Sequence, residues 1–471
     1  MKERFSWGIF LKQVAAIAIP VALQNLLTTT ASMVDTMMIG TLGQQSVAAV
    51  GLCAQFTSLM FSCYWGFVGG GMLFFAQYWG AKDDDGINRS WGITVTFLMA
   101  VGLLFCGAGF FAPQLVMQLY TDKAAIQQIG VDYLHIVSLS YPLVVYSVGM
   151  ASLLRTTDKV RIPLLASICS VATNLVFNWL LIGGNLGFPA LGVKGAAIAT
   201  VLAQCVNVTL ILVLAHHAGH PYLFMFSRHF HWRRSSLSMY FQKCAPILAN
   251  ELLIGIGNMV INVVLGRQSE NAIAATAVFR TLEGLMIGFF AGFSNAASVL
   301  VGQRVGAGEL ETAWQRAIRI VYLCQGIIAV TALLLFSVHT PLLHVMSLQG
   351  ESFDICTGML IIYGVASVIR MGNWTQNDTY RSAGDATYGT VLEILFMYLM
   401  VLPCVWISGM NTSAPFLLVF ALCYCDEPVR YVLMQIHLWR GTWIRPVTPQ
   451  GLDALLSFRE QHHIRSRKKS A

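Results

Sequence analysis

Ionisable side chains interrupt the apolar stretches of this chain at a few places, and those residues have chemistry to offer. Asp35 stands five residues before Gly40, roughly 7 Å from it along a helix axis, among Thr28, Thr29, Thr30, Ser32 and Thr36. Glu251 follows Asn250 in the middle of another stretch, and Arg280 and Glu283 share a face of a third at i and i+3. Arg370 lies mid-way along a fourth, with Asp378 and Arg381 near its end. An ionised side chain in hydrocarbon costs about 2.5–3.5 kcal/mol on insertion scales, so each must face a cavity or a partner. A carboxylate so placed can take up a proton or, with neighbouring oxygens, Na⁺. A mid-span guanidinium needs a carboxylate, and Glu251, Glu283 and Glu393 are candidates for Arg370.

The elements that must position these groups are membrane helices. The chain is 56% hydrophobic and 11% charged, where a soluble domain carries about 25% charged residues. Twelve apolar stretches are long enough to span a bilayer. They cover about 13–39, 46–79, 90–112, 126–153, 161–183, 191–216, 239–265, 272–303, 317–339, 353–380, 387–409 and 414–438. Shifted by 226 positions, the chain lies on itself: Pro20 on Pro246, Gly40 on Gly266, Gln77 and Gly80 on Gln303 and Gly306, Arg155 on Arg381. The expected fold is therefore all-α and polytopic, with twelve transmembrane helices in two six-helix bundles related by a pseudo-two-fold axis. The expected divisions are an N-terminal lobe (1–215), a basic cytoplasmic linker (216–238), a C-terminal lobe (239–440) and a basic cytoplasmic tail (441–471). Two such bundles leave a cleft between them that rocking can expose to either side.

Lysine and arginine set the orientation. The outer loops hold only Lys123, Lys194 and Arg267. The N-terminus (Lys2, Arg4, Lys12), the inner loops and the tail (with Arg465, Arg467, Lys468 and Lys469) hold nearly all the rest, so both termini are expected in the cytoplasm. This bias accounts for the net charge of +7 and gives no reason to expect a nucleic-acid partner. Eleven cysteines form no metal or disulfide pattern. His216, His217, His220, His229 and His231 crowd the linker and read as part of a solvated segment rather than a metal site. No Walker-type loop is present, so uphill transport would draw on an ion gradient.

The chain resembles the multidrug and toxic compound extrusion family over about residues 10–445. The resemblance rests on Pro20 with Val34-Asp35-Thr36 and Gly40, on Gln77-Tyr78-Trp79-Gly80-Ala81, and on Leu154-Arg155-Thr156-Thr157-Asp158. In the second half it rests on Val301-Gly302-Gln303-Arg304-Val305-Gly306 and Arg381-Ser382-Ala383-Gly384-Asp385, with Asn250-Glu251 and Asp426-Glu427-Pro428 as in some bacterial branches. It implies a monomeric, multi-pass antiporter of the bacterial plasma membrane, surrounded by lipid. Such a protein exports small organic compounds, cationic or amphipathic, by alternating access, with no cofactor beyond the transported H⁺ or Na⁺ and no enzymatic activity.

The resemblance implies cation coupling at Asp35, Glu251, Glu283, Arg370 and Asp378, and cleft or gate roles for Asn25, Asn178, Trp374, Arg155 and Arg381. Two readings stay open for most of these. Asp35 is a proton-responsive acid or a helix-end cap, Glu251 a cation carrier or half of an ion pair. Arg280 and Glu283 form a self-satisfied pair, and Asp378 with Arg381 is an inner gate or a helix-end pair. Asn178 stands where some relatives carry an aspartate, so an acid pair in the N-lobe is not expected. Arg370 occupies the region where the Na⁺-coupled pattern has an aspartate, which favours H⁺. Two other classes remain: a lipid-precursor flippase of the same superfamily, and a polytopic membrane enzyme. Few embedded arginines speak against the first. The sole acidic run, Asp83-Asp84-Asp85 beside Lys82, is a poor catalytic centre for the second.

Overall fold

The structure is a computed structural model describing residues 6–230, 232–346, 348–411 and 414–463. Lys2, Arg4, His231, Arg465, Arg467, Lys468 and Lys469 lie outside these residues. Among the described residues every regular element is a helix. Eleven are long and apolar enough to cross a membrane: α1 (Trp7–Gly40), α2 (Gln44–Gly80), α3 (Asp84–Phe111), α4 (Ala124–Thr156), α5 (Arg161–Gly183), α6 (Val193–His217), α7 (Arg234–Leu265), α8 (Glu270–Gly306), α9 (Leu310–Ser337), α10 (Glu351–Ser382) and α11 (Tyr388–Met410). Pro20 sits inside α1 and Pro246 inside α7. A π-helical turn at Met397–Val401 precedes Pro403 in α11, where the missing N–H and the ring disturb the regular ladder.

The twelfth apolar stretch is broken. It forms α12 (Phe416–Leu422) and α13 (Glu427–Arg440), joined by a turn through Tyr424. Pro428 falls in the first turn of α13, where a missing N–H costs nothing. Asp426 and Glu427 then meet the positive end of α13. Irregular backbone at membrane depth must be enclosed by protein, and Tyr424, Asp426 and Glu427 are all buried.

The sequence repeat extends to the backbone. Lys82 and Gly308 both have positive φ, at 56° and 79°, as do Asp158 and Gly384, at 63° and 99°. Each follows a helix end closed by the same bond: Asp83 N to Tyr78 O and Glu309 N to Arg304 O at 2.9 and 3.0 Å, and Lys159 N to Leu154 O and Asp385 N to Tyr380 O, both at 2.8 Å. These are Schellman closures. Glycine fills the left-handed position in the second half only, so Lys82 and Asp158 carry a cost of roughly 1–2 kcal/mol each.

Two compact units are present. The N-unit comprises Pro20–Phe75 and Asp84–Phe241, and the C-unit comprises Met1–Ile19, Ala76–Asp83 and Gln242–Ala471. In the N-unit the central segment is packed, not solvated throughout. Tyr222, Leu223, His220 and His229 are buried. The cause is α3, whose Gly92 lets backbone come close: a Cβ there would lie 1.9 Å from His229 O. Tyr222 donates to Asp84 Oδ1 at 2.6 Å, and His220 Nε2 lies 2.9 Å from Thr157 Oγ1. In the C-unit the ends of α2 and α8 cross on glycine. A Cβ on Gly80 would lie 1.8 Å from Gln303 O, and one on Gly306 would lie 1.9 Å from Gln77 O. Residues beyond Arg440 are also packed: Trp443, Ile444 and Phe458 enter a core with Tyr380, Met434 and Leu438.

Gly80→Ala and Gly306→Ala should each lower the melting temperature in detergent, since overpacking costs about 1–3 kcal/mol. Gly107→Ala, which meets nothing within 4 Å, should be neutral or stabilising, as Ala is favoured over Gly in a helix by about 1 kcal/mol. Burial, reinforced by Lys159, lowers His220 from its ordinary value to about 4. The folded state thus favours neutral imidazole, so stability is fully present above the unfolded value of about 6.5 and declines as pH falls toward 4. The melting temperature between pH 6.5 and 4 should fall more steeply in the wild type than in His220→Gln.

Candidate functional site

The N-unit holds one carboxylate deep in its helices, and two amides serve it. Asn178 on α5 donates to Asp35 Oδ1 at 2.6 Å. Asn174, one turn earlier, lies against the same group; with its NH₂ turned to the acid, the nitrogen stands 2.7 Å from Oδ1 and 3.1 Å from Oδ2. Asn178 is 1% exposed. Two of the threonines near it turn to their own helix: Thr28 donates to the Gln24 and Asn25 carbonyls, and Thr36 donates to Ser32 O. Further along α1, Arg155 Nη2 donates to Gln24 Oε1 at 2.7 Å, and Gln24 Nε2 to Ser167 Oγ at 2.8 Å.

The matching place in the C-unit is acidic. Asn250 Nδ2 donates to Glu393 Oε2 at 3.1 Å, and these residues are the repeat partners of Gln24 and Ser167. Asn377 donates to the same oxygen at 3.2 Å. Arg381, the partner of Arg155, reaches Glu251 instead of a glutamine: Nη1 lies 3.8 Å from Glu251 Oε1 and 3.8 Å from Asp378 Oδ1. Ser294 donates a short hydrogen bond to Asp378 Oδ2. Asp378 and Arg381 are therefore not a pair apart; Glu251 shares the guanidinium.

Arg370 is served by different acids. Its Nη1 lies 3.0 Å from Glu283 Oε1, and its Nε lies 3.8 Å from Glu427 Oε1. Glu283 is also held by Arg280 at 2.7 Å, so the i, i+3 pair on α8 is not self-contained. Glu427 accepts from Asn373 at 2.7 Å and meets Arg430 Nη2 at 3.3 Å, and Arg430 Nη1 meets Asp426 Oδ2 at 3.2 Å. Three arginines and three carboxylates thus alternate along one chain of contacts. Arg370 Cζ also lies 5.7 Å from the Trp374 ring and 5.4 Å from the Tyr424 ring, within cation–π range. Glu251 does not serve Arg370 because Arg370 and Arg381 are eleven residues apart on α10, about 16 Å along its axis.

Asn174, Ser294 and Asn373 join these clusters without carrying a charge that marks them in the sequence. Asn174 had a signal, since it precedes Asn178 by one helical turn in an apolar stretch. Ser294 and Asn373 had none, because a serine or an asparagine alone does not say which helix it faces. Glu427 and Arg430 share a helix face at i and i+3, and the break before α13 turns Glu427 toward Arg370 as well.

Comparisons with known proteins agree with this architecture. The MatE family model matches residues 20–180 and 246–407, once in each half. A "Probable multidrug resistance protein YoeA" of Bacillus subtilis is 23% identical over 413 residues, covering 85% of this chain and 88% of that protein. An "FAD transporter" of Shewanella oneidensis is 25% identical over 324 residues, covering 67% of this chain and 70% of that protein. Among solved structures, one described as the outward-facing conformation of a multidrug resistance MATE family transporter superposes with a TM-score of 0.82 at 17% identity, covering 93% of this chain and 99% of that one.

The alternating network makes a stability prediction. Arg370→Ala leaves Glu283 and Glu427 short of a partner, and breaking a buried pair costs roughly 3–5 kcal/mol. Its melting temperature should fall well below that of Glu283→Gln, where Arg370 keeps Glu427 and the new amide can still accept. Equal melting temperatures for wild type and Arg370→Ala would contradict the network.

Proposed function

The chain belongs to the MatE family, and from that premise we propose that it is an H⁺-coupled antiporter exporting organic, cationic or amphipathic small molecules by alternating access. It is a polytopic membrane transporter and not an enzyme. In this reading it is a monomer in a bacterial plasma membrane, with both termini cytoplasmic.

The observation that carries the choice of ion is what faces the acids. Glu283 and Glu251 each meet a guanidinium, which stands where a bound cation would stand and repels a second one. Asp35 accepts from the Asn178 amide, so its charge is already served by a donor. A proton suits both settings. It neutralises the carboxylate, releases the arginine or amide, and lets the local helices rearrange. Asp35 in the N-unit and Glu251 in the C-unit are then the coupling acids, and Arg370 with Glu283 is a switch set by protonation. Asp378 shares Arg381 with Glu251 and adjusts that pair. Asn25 and Trp374 are candidates for contact with substrate, and Arg155 and Arg381 for gating. The aromatic faces and flexible thioethers of the chain suit varied apolar cations. A lipid-precursor flippase fits less well, because Arg280, Arg370 and Arg430 are each engaged by carboxylate and offer no free charge to a polyanion.

Purified protein in liposomes, with the pH and Na⁺ gradients varied independently, tests this reading. Dye efflux should follow the pH gradient and ignore Na⁺ at clamped pH. Asp35→Asn and Glu251→Gln should each slow efflux by at least about tenfold, roughly 1.4 kcal/mol of barrier. Na⁺-stimulated efflux without a response to the pH gradient, or wild-type rates in both variants, would reject it.

A further inference from the structure

The segment after α13 takes no part in the chemistry above, yet it is bonded to the helix ends that frame it. Arg445 N donates to Ala383 O at 2.9 Å, and Arg445 Nη1 lies 3.0 Å from Asp385 Oδ1, on a carboxylate whose side chain is 0% exposed. Gly384 admits this contact: its φ is +99°, and a Cβ there would lie 1.9 Å from Arg445 O. Val447 N donates to Gln77 Oε1 at 2.8 Å, and Gln77 Nε2 donates to Ser382 O at 2.9 Å. Thr448 donates to Gly306 O at 2.7 Å and also accepts from Gly451 N at 3.3 Å, capping the helix α14 (Pro449–Gln461). Arg445, Val447 and Thr448 therefore bond the ends of α2, α8 and α10. Those helices already meet closely, since a Cβ on Gly302 would lie 2.8 Å from Ala76 Cβ and 3.4 Å from Ser382 Cβ.

The segment has two unlike parts. Its root is apolar: Trp443 and Ile444 are buried in the core with Tyr380 and Leu438, and Phe458 of α14 joins them. Its middle, Arg445–Thr448, meets the helix ends by polar contacts; Thr448 is buried, while the Arg445 side chain is 47% exposed. Such contacts can part and re-form while the root stays seated.

We propose that residues 441–448 are a clasp on the cytoplasmic ends of α2, α8 and α10, with Arg445 and Thr448 as positioning residues that hold those ends closed and let go once in each transport cycle. The clasp rests on the export reading for its place in the cycle, but the closure itself can be measured without transport. Arg445 fixes the loop that follows Arg381, so it also acts at one remove on the Arg381–Glu251 contact.

The test uses a cysteine at Ala76, which is 1% exposed, in full-length protein whose exposed Cys169 and Cys205 are replaced by serine. Inside-out vesicles are labelled with a membrane-impermeant maleimide. Arg445→Ala and Thr448→Val should each raise the labelling rate at least about threefold, and the apparent KM for a dye on the cytoplasmic side should fall by a similar factor, as a larger fraction of the protein is open to it. Arg445→Lys should restore most of the closure. Unchanged labelling in both Arg445→Ala and Thr448→Val, at wild-type melting temperature, would overturn the clasp. Thr448→Val alone decides the matter if Arg445→Ala does not fold. Faster labelling without any dye transport would leave the clasp standing and count against the export reading only.

Discussion

A charge that cannot reach water must be neutralised by the protein around it. In this chain that constraint decides where helices bend, which residues converge and what they can do. An unmatched arginine in mid-span would be costly. Arg370 lies mid-way along α10, and α8 and the start of α13 supply Glu283 and Glu427 to it. Glu427 stands there because the twelfth apolar stretch breaks ahead of Pro428. The break, the acidic pair at the new helix start and the arginine are parts of one solution. Such a network is weak evidence for stability in itself, since well-packed apolar residues often do as well. What it does fix is position: Arg370 and Arg430 are each held between two carboxylates.

The two halves began as copies and now solve the same problem differently. At one matched place the N-unit has Arg155, Gln24 and Ser167 in contact, all neutral except the arginine. The C-unit has Arg381 with Glu251, and Asn250 with Glu393. At another, the N-unit has Asp35 with Asn178, and the repeat partners in the C-unit are Ile261 and Cys404. Ionisable chemistry has therefore been divided unequally, with Asp35 in the N-unit and two clusters of acids around Arg381 and Arg370 in the C-unit. A transporter built from two identical halves would have had equivalent sites. Divergence at matched positions gives the two halves different ionisable groups.

Where helices approach most closely, the chain uses glycine and backbone rather than side chains. Gly80 against Gln303 and Gly306 against Gln77 are the same contact made in both senses of the repeat. The close crossing leaves no room for a side chain, so the glutamines at these helix ends are free to bond outward. Gln77 does so, to Ser382 and to Val447. The segment beyond Arg440, basic in composition and so read as a tail, finds its partners here because the helix ends expose carbonyls that need donors.

The sequence by itself determined the solvent, the class and the repeat. Apolar stretches of membrane length admit only helices in lipid, and a gapless offset of 226 positions requires two like units. It also singled out Asp35, Glu251, Glu283 and Arg370, because a charge inside an apolar run is visible without any structure. What it could not supply was pairing. Which carboxylate meets Arg370 depends on helix rotation and depth, and neither is written in the spacing of a nearly uniform apolar helix. Only the tertiary structure separated Arg370 with Glu283 from Arg381 with Glu251, added Asn174 and Ser294, broke the twelfth stretch at Tyr424 and packed the segment after Arg440. Periodicity reports which solvent a helix lives in. The partner of a buried charge is decided by the neighbouring helices, and those are brought together only by the fold.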